Sequence, residues 1–138
     1  INDNIDLALK LKADGIHIGQ DDKEVCEVVK QIQGKLLLGL SINNLEQALQ
    51  AKVIEGIDYF GVGPIYKTNS KSDAKPSVGL DLIKDIRKQN IKKSLVAIGG
   101  IQEAHAKNIL ECACNGLAII SAITKSKNMK KTIHNLKN

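Results

Sequence analysis

At 138 residues the chain is long enough for one domain and too short for two. Its 43% apolar and 25% charged residues are ordinary for a globular protein; with no Trp, one Phe and two Tyr, the core must be built from Ile, Leu, Val and Ala. The net charge of +5 is spread as lysines along helix-like segments, densest at Lys125, Lys127, Lys130 and Lys131, without the interleaved Arg and aromatic residues of a nucleic-acid surface, and no segment has the length of a membrane span or the pattern of a signal peptide.

The chain opens Ile1-Asn2-Asp3, without an initiator Met, which reads as a start in mid-structure. Residues 4–13 carry helical apolar spacing, and GIHIG at 15–19 is a short strand that places Ile16 and Ile18 on one face and His17 on the other. A helix over 22–33 and a strand over 36–41 follow, and Asn44 caps a helix that runs to about Val53. Ile57–Val62 is the next strand, and a polar loop from Gly63 to Val78 holds both prolines. The spacing then predicts a helix over 80–89, a strand over 95–98, a sharp Gly99-Gly100 turn and a helix over about 102–113. A strand at 117–120 and one final helix to about 136 complete the chain. His105 and His134 fall on helices and are expected to be exposed, as are Asp6 and Asp14. Cys26, Cys112 and Cys114 form neither a zinc nor a redox spacing and read as reduced residues of a cytoplasmic protein.

Strands alternating with helices of this length imply βαβ units and a parallel sheet. A doubly wound open sheet would be complete at this size, whereas a closed eight-stranded barrel takes about 200–250 residues. The polar residues distinguish them. Each strand is followed by groups suited to chemistry: Asn2 and Asp3, then Gln20, Asp21 and Asp22, then Ser41, then Thr68, Asn69, Ser70 and Lys71, then Gly99-Gly100, then Ile120-Ser121. In a β/α-barrel these sets converge on one face, and the loops after the last two strands form the phosphate site. Glycines before a helix let backbone N–H groups approach an anion. Asp3 and Asp22 end adjacent strands; they suit Mg²⁺, and they equally suit helix caps. Hydroxyls and a cation at 68–71 suit phosphate or pyrophosphate, or an ordinary surface loop.

Together these segments resemble the thiamine phosphate synthases. The matching motifs are IND at 1–3, ADGIHIGQDD at 13–22, GLS at 39–41, DYFGVGPIYKTNSK at 58–71, VGLDLI at 78–83, AIGGI at 97–101 and NGLAIISAI at 115–123. The resemblance implies a TIM (β/α)8 barrel, here one incomplete domain over 1–138 with about five complete βα units and the end of one more strand. It implies Mg²⁺-dependent transfer of the hydroxymethylpyrimidine group from its diphosphate to thiazole phosphate carboxylate. By the same resemblance Asp3 and Asp22 hold the metal, Asn2, Ser41 and Lys71 contact the pyrimidine diphosphate, and Ser41 and Lys71 act in catalysis. Thr68, Asn69, Ser70, Gly100, Ile120 and Ser121 take the thiazole phosphate. Small-molecule partners are thus implied, and a homo-oligomer is compatible with them.

Three positions depart from the family pattern. Ser70 replaces the second Thr of a TxT loop, Ala113-Cys114-Asn115 replaces GAD, and a QxRxK segment has no counterpart. The expectation is a barrel lacking its first two βα units and most of a third strand, with cut edges, low stability and weak activity by itself. A thiazole tautomerase of the same superfamily would lack the Asp3 and Asp22 pair. Other phosphate-sugar barrels would lack the IND, GQDD and TxxK set, and a non-catalytic thiazole phosphate-binding remnant would show no Mg²⁺-dependent turnover.

Overall fold

The computed structural model describes residues 1–68 and 75–137. Five parallel strands, β1 (Gly15–Ile18), β2 (Leu37–Ile42), β3 (Tyr59–Val62), β4 (Ser94–Ile98) and β5 (Gly116–Ala118), lie side by side in chain order. Between and after them run α1 (Ile5–Lys10), α2 (Val25–Ile32), α3 (Leu45–Ala51), α4 (Asp81–Lys88), α5 (Glu103–Glu111), α6 (Ser121–Thr124) and α7 (Met129–Lys137). A parallel bridge between Asn2 and His17 continues the pairing beyond β1. Among the described strands the order does not reverse, so these five form no switch point of a doubly wound sheet. Right-handed crossovers in this order put the connecting helices on one face.

Burial follows from that topology. Ile16 and Ile18, Leu38, Leu40 and Ile42, Phe60 and Val62, Leu95 and Ala97 are all at most 2% exposed and meet the helices. Each of these Ile, Leu, Val and Phe side chains contributes about 1.5–3 kcal/mol on leaving water. The residues between them, His17, Ser41, Tyr59, Val96 and Ile98, stand on the other, open face, half-buried or exposed.

Local chemistry explains the helix ends. Asn4 accepts from Leu7 N–H at 2.9 Å and Asn44 from Gln47 N–H at 2.9 Å, so both are N-caps. The helix expected from residue 22 begins at Val25 instead, because Asp22 accepts the Gly19 N–H and closes a turn ahead of it. The single final helix expected to residue 136 is two helices. Between them Ser126 Oγ accepts from Asn128 N–H, and Asn128 Oδ1 accepts from Lys131 N–H, each at 3.0 Å. Short polar side chains here compete with the helical ladder.

At the edge where the strands begin, side chains substitute for missing ladder partners. Asp58 Oδ2 accepts from Leu38 N–H and Asn115 Oδ1 from Leu95 N–H, at 2.7 and 2.9 Å. The Arg87 guanidinium gathers four acceptors: the carbonyls of Ala113, Ile91 and Lys93, and Asn115 Oδ1. The Ala113-Cys114-Asn115 departure is therefore a structural turn, with Ala113 left-handed at φ 61° and Asn115 serving both Arg87 and β4. Lysine cannot reproduce that planar fork, so Arg87→Lys is expected to lower stability by about 2 kcal/mol. A urea midpoint equal to wild type would contradict this.

Polar contacts bring α7 onto α5. Glu103 accepts from Thr132 Oγ1 and Asn135 Nδ2, each at 2.6 Å. These two donors, Thr132 first, hold the Glu103 carboxyl below its usual range, with Lys131 adding a smaller pull the same way against the opposing effect of burial. A depressed carboxylate pKa adds stability above the unfolded-state value and loses it as pH falls through the folded one. Urea midpoints of wild type and Glu103→Gln should therefore differ at neutral pH and converge as pH falls through the lowered carboxyl pKa. A gap that persists in acid would refute this account.

Candidate active site

Parallel strands deliver every carboxyl end to one edge, and the loops there are tied strand to strand. Gln20 Nε2 donates to the Ser41 carbonyl, and Asn43 Nδ2 to the Gly63 carbonyl. Ile65 N–H donates to Ile98 O at 2.8 Å and Tyr66 N–H to Gly99 O at 3.0 Å. The loops after β1, β2, β3 and β4 thus form one continuous rim.

At one end of the rim is an open cleft of about 490 Å³, lined by Asn2, Asp3, Asp22, Lys23 and Gln31 among others. Asp3 N–H donates to His17 O at 2.9 Å, and Asn4 N–H reaches back to Asn2 O at 2.7 Å. This tight turn holds Asp3 at φ 62°, where Asn, Asp and Gly are the tolerated residues. Asp22 Oδ2 is fixed by the Gly19 N–H. Three exposed carboxylates, Asp3, Asp6 and Asp22, line the cleft; Asp6 accepts from Gln31 Nε2 at 2.8 Å, and Asp3 with Asp22 fits Mg²⁺, which takes one or two carboxylates and keeps waters and phosphate oxygens. Among the described residues no three His, Cys, Asp or Glu gather into a metal-binding group. Asp21 lies outside the cleft lining and pairs with Lys75 at 3.3 Å, both exposed.

Ser41 stands on the open face of β2. Its Oγ is 2.9 Å from His17 Nε2, and His17 Nδ1 is 3.0 Å from the Tyr59 hydroxyl. The imidazole of β1 reaches across β2 because Gly39 and Gly61 carry no side chain. A Cβ at Gly39 would overlap the Tyr59 ring and hydroxyl, and one at Gly61 would come 2.7 Å from His17 Cε1. Burial raises the Tyr59 pKa, so the phenol keeps its proton.

Farther along the rim, Gly99 and Gly100 have φ of 95° and 65°. A Cβ at Gly100 would sit 2.6–2.7 Å from the Lys67 and Tyr66 carbonyls, so glycine is needed for the loop after β3 to lie on this turn. His105, expected to be exposed, is half-buried: its ring stacks on Tyr66 with centroids 3.9 Å apart, and Nδ1 accepts from Gln102 N–H at 3.1 Å. His134 is exposed, as expected. Ile120 is 62% exposed ahead of the short α6, which Ser121 opens. Thr68 is half-buried, whereas Asn69, Ser70 and Lys71 lie outside the described residues. The cysteines are free, with Cys114 buried, Cys112 half-buried and Cys26 exposed.

The model of the family described as thiamine monophosphate synthase matches residues 1–123. The chain belongs to that family. All candidate residues, from Asn2 to Ser121, fall within the matched span. The thiamine-phosphate synthase of Actinobacillus succinogenes is 48% identical over 136 residues, covering 99% of this chain and 62% of that protein. The enzyme of the same name from Listeria welshimeri is 43% identical, with 99% and 65% covered. Among solved structures, thiamine phosphate pyrophosphorylase from Pyrococcus furiosus superposes with a TM-score of 0.82 at 34% identity, covering 99% of this chain and 63% of that one. A 3-hexulose-6-phosphate synthase, at 16% identity and a TM-score of 0.70, shares the fold. The chain thus spans about 62–65% of the length of these relatives.

For a family member the site holds one feature that residue types alone did not reveal, the Tyr59–His17–Ser41 chain of hydrogen bonds. The available signal was a glycine on the open face of each neighbouring strand, Gly39 in GLS and Gly61 in YFGV, beside a strand bearing His. Among the described residues, no helix is long and apolar enough to cross a membrane.

Proposed function

We propose that the chain carries most of the active site of a thiamine phosphate synthase built on a (β/α)8 barrel. The reaction is transfer of the hydroxymethylpyrimidine group from its diphosphate to the nitrogen of thiazole phosphate carboxylate. Thiamine phosphate and pyrophosphate are formed, and the carboxylate leaves as carbon dioxide. The observation that carries this reading is the meeting of Asn2, Asp3 and Asp22 on one cleft at the carboxyl edge of the sheet. Both substrates are small phosphorylated molecules, which suits a cytoplasmic enzyme.

In this reading Asp3 and Asp22 hold Mg²⁺, which neutralises negative charge on the diphosphate when bound. Asn2 and the Ser41 hydroxyl hold the diphosphate, and Lys71 supplies a fixed cation toward the departing pyrophosphate. Gly100, Ile120 and Ser121, with Thr68, Asn69 and Ser70, take the thiazole phosphate through N–H and hydroxyl donors. The protein aligns two reactants and stabilises a leaving group, with little need for a nucleophile of its own.

The test is thiamine phosphate formation from the two substrates, with and without Mg²⁺. It uses the 138-residue chain and the same chain joined to the remaining segment of a full-length relative. Mg²⁺-dependent turnover that Asp22→Ala abolishes is the expected result. Binding of thiazole phosphate by the full-length form without any product would overturn the reading.

A further inference from the structure

Neither His17 nor Tyr59 has a part in the chemistry described above, yet the sheet is shaped around them. Gly39 and Gly61 leave the space that both rings occupy, and the ring centroids are 5.5 Å apart. The two hydrogen bonds join three consecutive strands on the open face, ending on the Ser41 hydroxyl. We infer that Tyr59 and His17 are positioning residues that fix the polarity of the Ser41 hydroxyl, holding its proton outward toward an anionic oxygen of the substrate. This rests on the reading of Ser41 as a diphosphate contact.

The polarity follows from donor and acceptor counting. An ionised phosphate oxygen only accepts, so Ser41 must give it the single hydroxyl proton. Ser41 Oγ can then only accept from His17, which requires a proton on Nε2. With the ring neutral, as the inference requires, it carries one proton, so that Nδ1 is bare and accepts the Tyr59 O–H. In the opposite tautomer His17 Nε2 would take the Ser41 proton, and lone pairs would face the phosphate. Tyr59 acts by donating to Nδ1, a role that phenol keeps and phenylalanine loses. The inner tie selects the tautomer and the outer one presents the proton, as a bound group fixes the far nitrogen of a histidine elsewhere.

Two measurements decide it. Two-bond proton–nitrogen spectra of the three histidines, with His17 assigned from a His17→Asn variant, read the tautomer directly. With pyrophosphate and Mg²⁺ as the probe, His17 should be the Nε2–H form, and Tyr59→Phe should reduce that fraction. An Nδ1–H form, or a ring protonated on both nitrogens, in the wild type overturns the inference. In the full-length form, Tyr59→Phe should lower kcat/KM about tenfold, and add nothing in a Ser41→Ala background. Equal losses in both backgrounds would mean that Tyr59 acts only on the fold, and would also overturn it. Should the full-length wild type make no thiamine phosphate, the proposed reaction falls, while the tautomer spectra still decide the role of His17.

Discussion

Asp3→Asn is expected to lower Mg²⁺-dependent thiamine phosphate formation by about a hundredfold to a thousandfold, an effect that separates from any loss of the local turn. The separation comes from the backbone. Asp3 sits at φ 62°, bridged by the Asn4 N–H to Asn2 O bond, and its own N–H is bound to His17 O. Asparagine accepts the same left-handed conformation as readily as aspartate, so the turn and its two bonds survive. The side-chain charge is removed. Asp3→Ala would confound the two effects, because a Cβ without a polar tip is disfavoured at positive φ. Activity in Asp3→Asn within threefold of wild type, at saturating Mg²⁺, would remove Asp3 from the metal site.

Gly63→Ala is expected to cost about 3 kcal/mol or more of stability, the largest effect of any glycine substitution that leaves φ allowed. The new Cβ would overlap the Ile98 carbonyl oxygen and lie 2.9 Å from Ile98 Cγ2. Backbone cannot step aside as a side-chain tip can. Gly63 also donates to Ile42 O at 3.1 Å and accepts from Asn43, so it is fixed on the β2 side as well. Moving it away from β4 would break the rim that joins the first two loops to the last. A comparison is Gly34→Ala, where φ is 70° but no atom lies within 4 Å of the added carbon. That change should cost about 1 kcal/mol from backbone conformation alone. Equal urea midpoints for the two variants would show that the β3–β4 approach is softer than its geometry implies.

The alternation of strand and helix was legible because its cause is local. Apolar residues two apart in GIHI and LLGLSI, and three or four apart in the helices, follow directly from pleat and turn geometry. Asn44 was legible as a cap for the same reason. The start of α2 was not, because Asp22 gives its oxygen to Gly19 rather than to a helical N–H. The break after Thr124 depends on Ser126 and Asn128 finding local donors, a competition that apolar spacing does not record. His105 looked exposed on a helix pattern because its partner, Tyr66, is 39 positions away and approaches only through the loop on Gly100. For the site, the residue types at the strand ends could be read from the chain. Which of them share a cleft depends on strand order, and strand order depends on pairing between segments 20 or more residues apart.

The aromatic economy of the chain has an optical consequence. With no Trp and two Tyr, its ultraviolet emission comes from Tyr59 and Tyr66. One phenol ends the chain of bonds to Ser41, and the other lies flat on His105 beside the Gly99-Gly100 turn. The molecule therefore carries an unlabelled reporter at each half of the proposed substrate pocket. Pyrophosphate and a thiazole phosphate should perturb different tyrosines, so Tyr59→Phe and Tyr66→Phe would assign the two signals and let occupancy be followed by intrinsic fluorescence without a coupled assay.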